Sequence, residues 1–382
     1  MTGSAGLVLC PEARIYDHGP QHPLRPARVL YTWALIEACG LLDAPNVHTL
    51  ACRSAEDAEI ELVHTEAYVD ATRRAGHDES GAWGRFGYGP GDNPIFPNMH
   101  EAGALVAGAS LVAAQAVRGG EVTHAFNAAG GLHHAMPARA SGFCVYDDPA
   151  IAIAWLMRQG VERNAYLDVD VHHGDGVQAI FDDEPRVLTI SIHQSGETLF
   201  PGTGFVDERG SGKAEGTKVN VPLFPGVSDK GWLTAFREIV PPIVRAFEPE
   251  ILVTQLGCDT HRTDPLAQLL LSTTAYRETA AELHALAHEV TGGRWIATGG
   301  GGYQWATVVP RAWTTYFAEM CDVELPDAVP ESWIEQVEFD IRGPVPATFS
   351  EPPFDGDRLD PSTESTIERV KQGCFPFFGL EP

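Results

Sequence analysis

The stretch Tyr166-Leu-Asp-Val-Asp-Val-His-His-Gly-Asp-Gly-Val177 decides the fold. Ala165 to Val171 is an apolar run and predicts a buried strand. Asp168, Asp170 and His172 are spaced two apart, so they share one face if the strand continues. Two carboxylates and an imidazole on one face of a buried strand are costly without compensation, and a bound cation is the simplest compensation. Gly174-Asp175-Gly176 then breaks the strand and opens a short helix. These side chains therefore stand at the carboxyl end of a strand, where open α/β sheets place their sites.

Working outward, other apolar runs alternate with helical patterns. Strands are predicted at Thr123–Ala129, Ala165–Val171, Val187–His193, Ile251–Gly257 and Trp295–Thr298. Helices are predicted at Pro149–Gln159, Asp175–Phe181, Asp229–Phe247 and Thr273–Val290. This alternation predicts an α/β domain with a mostly parallel central sheet and helices on both faces. Two glycine- and proline-rich segments interrupt it, Gly76–Pro97 and the acidic Asp322–Pro361. The expected organisation is one catalytic domain over residues 1–321 and an irregular extension, 322–382, packed on it.

Four of the predicted strands run into polar residues. The first meets Gly130-Gly-Leu-His-His-Ala135, the second Asp168 to Asp175, the fourth Cys258-Asp259, and the last Gly299-Gly-Gly-Gly-Tyr303. Asp170, His172 and Asp259 make a set of three oxygen and nitrogen ligands, the composition of a catalytic zinc-type site. Fe²⁺ accepts the same donors. His133 and His134 suit general base and acid. Asp168 and Asp175 are placed to accept the second N–H of that pair. Tyr303 suits hydrogen bonding to a developing oxyanion. Together these residues point to metal-assisted hydrolysis of an amide or ester.

The formal net charge is −26 and hydrophobic residues make up 44%. That charge argues against nucleic-acid phosphates and suits a basic partner. The seven cysteines form no Cys-x-x-Cys pair and are read as reduced thiols. No secretory leader is evident, and the uncharged stretch Ala102–Val117 is short of the ~20 residues that a bilayer requires. A buried core helix and a cytoplasmic location, with no membrane partner, are expected.

The segments resemble the histone deacetylase family, with its arginase-like α/β fold. The matching pieces are Gly130–Ala135, Asp168–Asp175, Phe200-Pro-Gly-Thr-Gly204, Asp259 with Asp264-Pro-Leu266, and Gly299–Tyr303. His22-Pro-Leu-Arg-Pro-Ala-Arg28 and Asp92-Asn-Pro94 look most like the bacterial acetoin-utilisation deacetylases, a class I-like branch.

The resemblance implies zinc on Asp170, His172 and Asp259. It implies His134 with Asp175 as general base and acid, His133 with Asp168 as electrostatic support, and Tyr303 polarising an acetyl carbonyl. Phe143 and Phe200 would wall an acyl-lysine tunnel, with Gly142 and Gly301 also contacting substrate. Asp92 would grip the substrate backbone, and Arg28 would line an acetate channel. A structural monovalent cation, K⁺, would lie at Asp168, Asp170, His172, Ser191 and Ile192. Leu266 stands where polyamine-selective relatives carry a glutamate. The implied activity is removal of acetyl, or another short acyl group, from protein lysines. Rivals are deacetylation of small amines such as acetylpolyamines and a non-catalytic acyl-lysine-binding module.

Overall fold

A computed structural model describes residues 3–78, 80–354 and 360–382. Residue 79 of the Gly76–Pro97 segment and residues 355–359 of the acidic extension lie outside the described residues. Among the described residues eight strands, all parallel, form one sheet: β1 Ala5–Leu9, β2 Val47–Ala51, β3 His124–Asn127, β4 Asn164–Asp168, β5 Val187–Gln194, β6 Lys218–Leu223, β7 Ile251–Gln255 and β8 Trp295–Thr298. Their order is β2-β1-β3-β8-β7-β4-β5-β6.

Successive residues along a strand serve different cores. Leu7, Phe126, Leu167, Leu252 and Ala297 join one buried cluster, and Val8, Ala125, Tyr166, Val253 and Ile296 join another. Helices Met99–Gly119 and Asp148–Arg158 supply Ala109, Ala113, Ile153 and Leu156 to the second cluster. Helices Asp229–Phe247, Thr273–Thr291 and Val309–Met320 supply the first. Strands covered on both faces need apolar side chains at every position, which is why their sequences run apolar without alternation. Helix Met99–Gly119 is long and apolar enough to cross a bilayer, yet most of it is buried in the domain.

Four adjacent strands, β3, β8, β7 and β4, are the ones whose carboxyl ends carry the polar motifs. The sheet order therefore assembles His133/His134, Tyr303, Asp259 and Asp170/His172 at one edge. Past residue 321, helix Pro361–Cys374 packs on β6 and on helix Asp229–Phe247. Glu351 in the preceding segment bonds to His261, Arg262 and Arg311.

Two expectations need correction. Cys10 and Cys52 are not separate thiols but a disulfide, with Cα atoms 5.3 Å apart. Parallel pairing of β1 with β2 sets Leu9 opposite Ala51, so the next residue of each strand is a cysteine facing its partner. The other five cysteines are free. The second correction concerns β4, which ends at Asp168, so Asp170 and His172 do not project from a regular strand. Asp168 Oδ1 accepts from the Asp170 amide at 3.1 Å, and Asp170 Oδ1 from the His172 amide at 2.9 Å. Aspartates compete with the sheet ladder by bonding the amide two residues on, and here they bend the chain so that both ligands converge.

Candidate active site

Each functional group is held by residues on another element. Asp148, at the start of helix Asp148–Arg158, accepts from the Gly131 amide at 3.0 Å and the Leu132 amide at 2.8 Å. Ser110 donates to the same carboxylate at 2.5 Å. This fixes the turn that presents the two histidines. His133 Nδ1 lies 2.7 Å from Asp168 Oδ2, and His134 Nδ1 lies 2.6 Å from Asp175 Oδ1. The two Nε2 atoms are 3.0 Å apart.

The two carboxylate–histidine pairs are electrically unequal. Burial lowers the His133 pKa, but Asp168 and Asp170 outweigh it and raise it to about 9. Burial and the neighbouring His133 charge push His134 down to about 4, against the pull of Asp175. Both shifts favour the proton between the two rings residing on His133, so His133 Nε2–H faces His134 Nε2, the unprotonated acceptor of the pair.

Asp170, His172 and Asp259 offer ligand atoms that all lie within 4.8 Å of one another. The two carboxylates are fully buried. Burial alone would lower the His172 pKa, yet its hydrogen bonds to Asp170 and Asp259 push it up to about 10, so the field here favours positive charge. A divalent cation supplies that charge and uses all three donors, so the residues fit the group. The Gly301 amide donates to Asp170 Oδ2 at 2.6 Å, and a Cβ at Gly301 would collide with both carboxylates. Only glycine permits this approach.

Tyr303 is buried, and its amide donates to Asp264 Oδ2 at 2.9 Å. Burial, with Asp259 and Asp170 nearby, holds its phenol well above the ordinary range, so it stays a donor. Its ring meets Phe143 edge-on at 5.8 Å between centroids. Phe200 faces His134 at 5.0 Å. Phe143 has φ 70° and follows Gly142 at φ 49°, a strained turn. It is pinned by Tyr16 Oη, which donates to the Phe143 carbonyl at 2.8 Å, and by His18 Nε2 at 3.0 Å. A cavity of about 200 Å³ lies between Asp92, His134, Gly142, Phe143, His172, Phe200, Leu266 and Tyr303. Behind it a small interior pocket is bounded by Arg28, His133, Cys144 and Gly300. Arg28 Nη1 donates to the Gly300 carbonyl at 2.5 Å, and its guanidinium sits over the Trp313 ring.

The structure thus gathers the sequence-predicted residues at one place. Ser191 is paired opposite Asp168 across β4 and β5, and Ile192 follows it, buried. His173 turns away to Thr203 and Gln178. His64, His100 and His261 are buried outside the site. Sequence reasoning missed several supports. Gln255 donates to Asp170 Oδ2 at 2.6 Å, and Tyr166 Oη donates to Asp168 Oδ2 at 2.7 Å. Gln255 carried a signal, an amide closing the apolar run Ile251-Leu-Val-Thr-Gln255. Asp148, Tyr16 and His18 carried none, because their partners are remote in sequence.

Comparison with known proteins agrees with this geometry. A model of the histone deacetylase domain matches residues 22–320. The acetoin utilization protein AcuC of Bacillus subtilis (strain 168) is 40% identical over 348 residues, 91% of this chain and 89% of its own length. AcuC of Staphylococcus xylosus is 36% identical over 338 residues, 87% of each chain. The crystal structure of an HDAC homolog complexed with SAHA superposes with a TM-score of 0.86 at 31% identity, covering 96% of this chain and 100% of that one. An HDAC homolog from Aquifex aeolicus gives 0.85 at 31% identity with the same coverage. With the domain model spanning most of the chain and relatives matched nearly end to end, this protein belongs to the histone deacetylase family.

Proposed function

We propose that this chain hydrolyses the amide of Nε-acetyl-lysine, or a related short acyl-lysine, in proteins or peptides and releases acetate. The observation that supports this most strongly is the arrangement around the ligand set. Two histidines, each backed by its own carboxylate, lie beside Asp170, His172 and Asp259, with Tyr303 also lining the cavity and Phe143 and Phe200 as walls. Zn²⁺, or Fe²⁺, held by the three ligands would polarise the acyl carbonyl and acidify water.

The residues of the chain do the rest. His134 Nε2 takes the proton of the attacking water and delivers it to lysine Nζ as the C–N bond breaks. Asp175 accepts the His134 Nδ1 proton and so fixes the tautomer whose Nε2 is the acceptor. His133, held by Asp168 and set against His134, supports it electrostatically. Tyr303 donates to the oxyanion. Phe143 and Phe200 admit a thin apolar stem, and Gly142 and Gly301 leave room for it. Asp92, exposed at the rim, accepts from substrate amides, and Arg28 guides acetate into the interior pocket. K⁺ at Asp168, Asp170, His172, Ser191 and Ile192 would be structural. We place the reaction in the cytoplasm, with no nucleic-acid or membrane partner.

A second substrate class, acetylated polyamines, is favoured by the net charge of −26. Leu266 opposes it, because among the described residues lining the cavity Asp92 is the one rim carboxylate available to hold a cationic amine. The test is turnover of an acetyl-lysine peptide by purified protein, then by chelated protein, then after Zn²⁺ or Fe²⁺ is restored. Turnover lost and recovered with metal, and absent in Asp259→Asn together with bound metal, is expected. Metal-loaded wild type that turns over no acyl-lysine would refute the proposal.

A further inference from the structure

A second cluster of ligand-type side chains lies at the opposite end of the sheet. His124 is the first residue of β3, and His284 and His288 are one turn apart on helix Thr273–Thr291. Their ring nitrogens converge. His284 Nε2 lies 3.2 Å from His124 Nε2 and 3.0 Å from His288 Nε2. One nitrogen of each ring lies within 4.8 Å of the others. Two imidazoles bound to one tetrahedral zinc at ~2.0–2.1 Å have nitrogens roughly 3.3 Å apart, close to these spacings.

The surroundings match a ligand role. His284 Nδ1 faces Glu319 Oε1 at 3.4 Å and Asp322 Oδ1 at 3.9 Å. A carboxylate behind one ring nitrogen holds the proton there and leaves the other nitrogen as a lone pair, the arrangement that supports metal-binding histidines. With that proton on Nδ1, His284 Nε2 presents a lone pair at which both other rings aim. The Trp295 indole stacks on His284 at 6.3 Å and meets His124 at 5.9 Å, fixing both rings. His124 is fully buried, His284 is buried and His288 is half-buried, so the cluster opens to solvent on the His288 side. None of these residues takes part in the hydrolysis described above.

We infer that His124, His284 and His288 form a second metal site, for a divalent transition ion of the imidazole-preferring kind such as Zn²⁺, Ni²⁺ or Cu²⁺. With three neutral ligands and an open side, the site clips the start of β3 to helix Thr273–Thr291. It is structural and independent of the hydrolytic centre.

The test counts zinc. Untagged full-length protein is stripped, dialysed against Zn²⁺ and measured by mass spectrometry as wild type, Asp259→Asn, His288→Gln and the double variant. Wild type is expected to hold two zinc ions per chain, each single variant one, and the double variant none. Zinc affinity at the second site should fall about 100-fold or more in His288→Gln. His288 is half-buried, so this variant keeps the fold, checked by circular dichroism of the stripped proteins. His284→Gln, removing the central ligand, should give the same count. Equal zinc in wild type and in both histidine variants would overturn the site and leave a hydrogen-bonded histidine chain. Failure of the active-site assignment reads differently, because zinc would then be unchanged by Asp259→Asn and still fall in His288→Gln.

Discussion

Replacing Tyr303 by Phe removes one oxygen and leaves the ring. The edge-on contact with Phe143 at 5.8 Å and the amide bond to Asp264 at 2.9 Å do not involve that oxygen, so both persist. Among the described residues the Tyr303 hydroxyl makes no hydrogen bond to the protein, so the free enzyme loses no bonded partner. The loss therefore falls on the transition state, where the phenol donates to the oxyanion. Removing one such donor costs about 2.7–4 kcal/mol, a fall in kcat of about 10²–10³. KM should change little, because the contact strengthens only as charge develops. The assay follows free lysine peptide released from an acetyl-lysine peptide, with bound metal and thermal unfolding measured on the same preparations. Metal content and Tm should match wild type. A loss below about fivefold, or a rate loss accompanied by lost metal, would refute the assigned role of Tyr303.

Other perturbations separate the remaining parts. Asp175→Asn should slow turnover about 10–100-fold with metal content unchanged, since it disturbs only the tautomer of His134; retained activity would remove Asp175 from the mechanism. Leu266→Glu sets a carboxylate at the rim beside Asp92. An attraction of about 1 kcal/mol predicts roughly fivefold better kcat/KM for acetylspermidine relative to wild type, and no gain would show that the rim does not select charge. Glu351→Ala should cost about 3–5 kcal/mol in urea unfolding, because it strands Arg311, which is 1% exposed, together with His261 and Arg262; a loss under 1 kcal/mol would contradict this. Burial would raise the Glu351 pKa, but His261 and Arg311 outweigh it and hold it at about 2 against 4.5 unfolded. A depressed carboxylate stabilises above its unfolded value, so this contribution is complete above pH 4.5 and fades as pH falls toward 2. Wild type minus Glu351→Ala stability, measured across that range, should shrink with acid.

The five central strands were legible because both faces are buried, which leaves an uninterrupted apolar run in the sequence. β6 was not, since Lys-Val-Asn-Val-Pro-Leu interrupts its apolar residues with Lys218, Asn220 and Pro222. Pro222 is tolerated there because β6 is an edge strand, and Lys218 is buried by donating to the carbonyls of Val187 at 2.5 Å and Glu184 at 3.3 Å. β2 was missed for the opposite reason, because it is an exposed edge with only Leu50 buried. The Cys10–Cys52 pair depends on the register of β1 against β2, and pairing between two strands is set by the folded sheet, not by either strand's own sequence. In the site, the ligands and histidines were legible as strand-end motifs. Their supports were not, since Asp148, Gln255 and Tyr16 act across long sequence separations that only the folded sheet closes.

The central claim is the substrate, and one comparison tests it most directly. Metal-loaded wild type is given an Nε-acetyl-lysine peptide and an acetylated polyamine in parallel, and kcat/KM is measured for each. The tunnel walled by Phe143 and Phe200, with Asp92 and Leu266 at its rim, predicts clear preference for the peptide, by about tenfold or more. Equal or better turnover of the polyamine, or turnover of neither, would contradict the account.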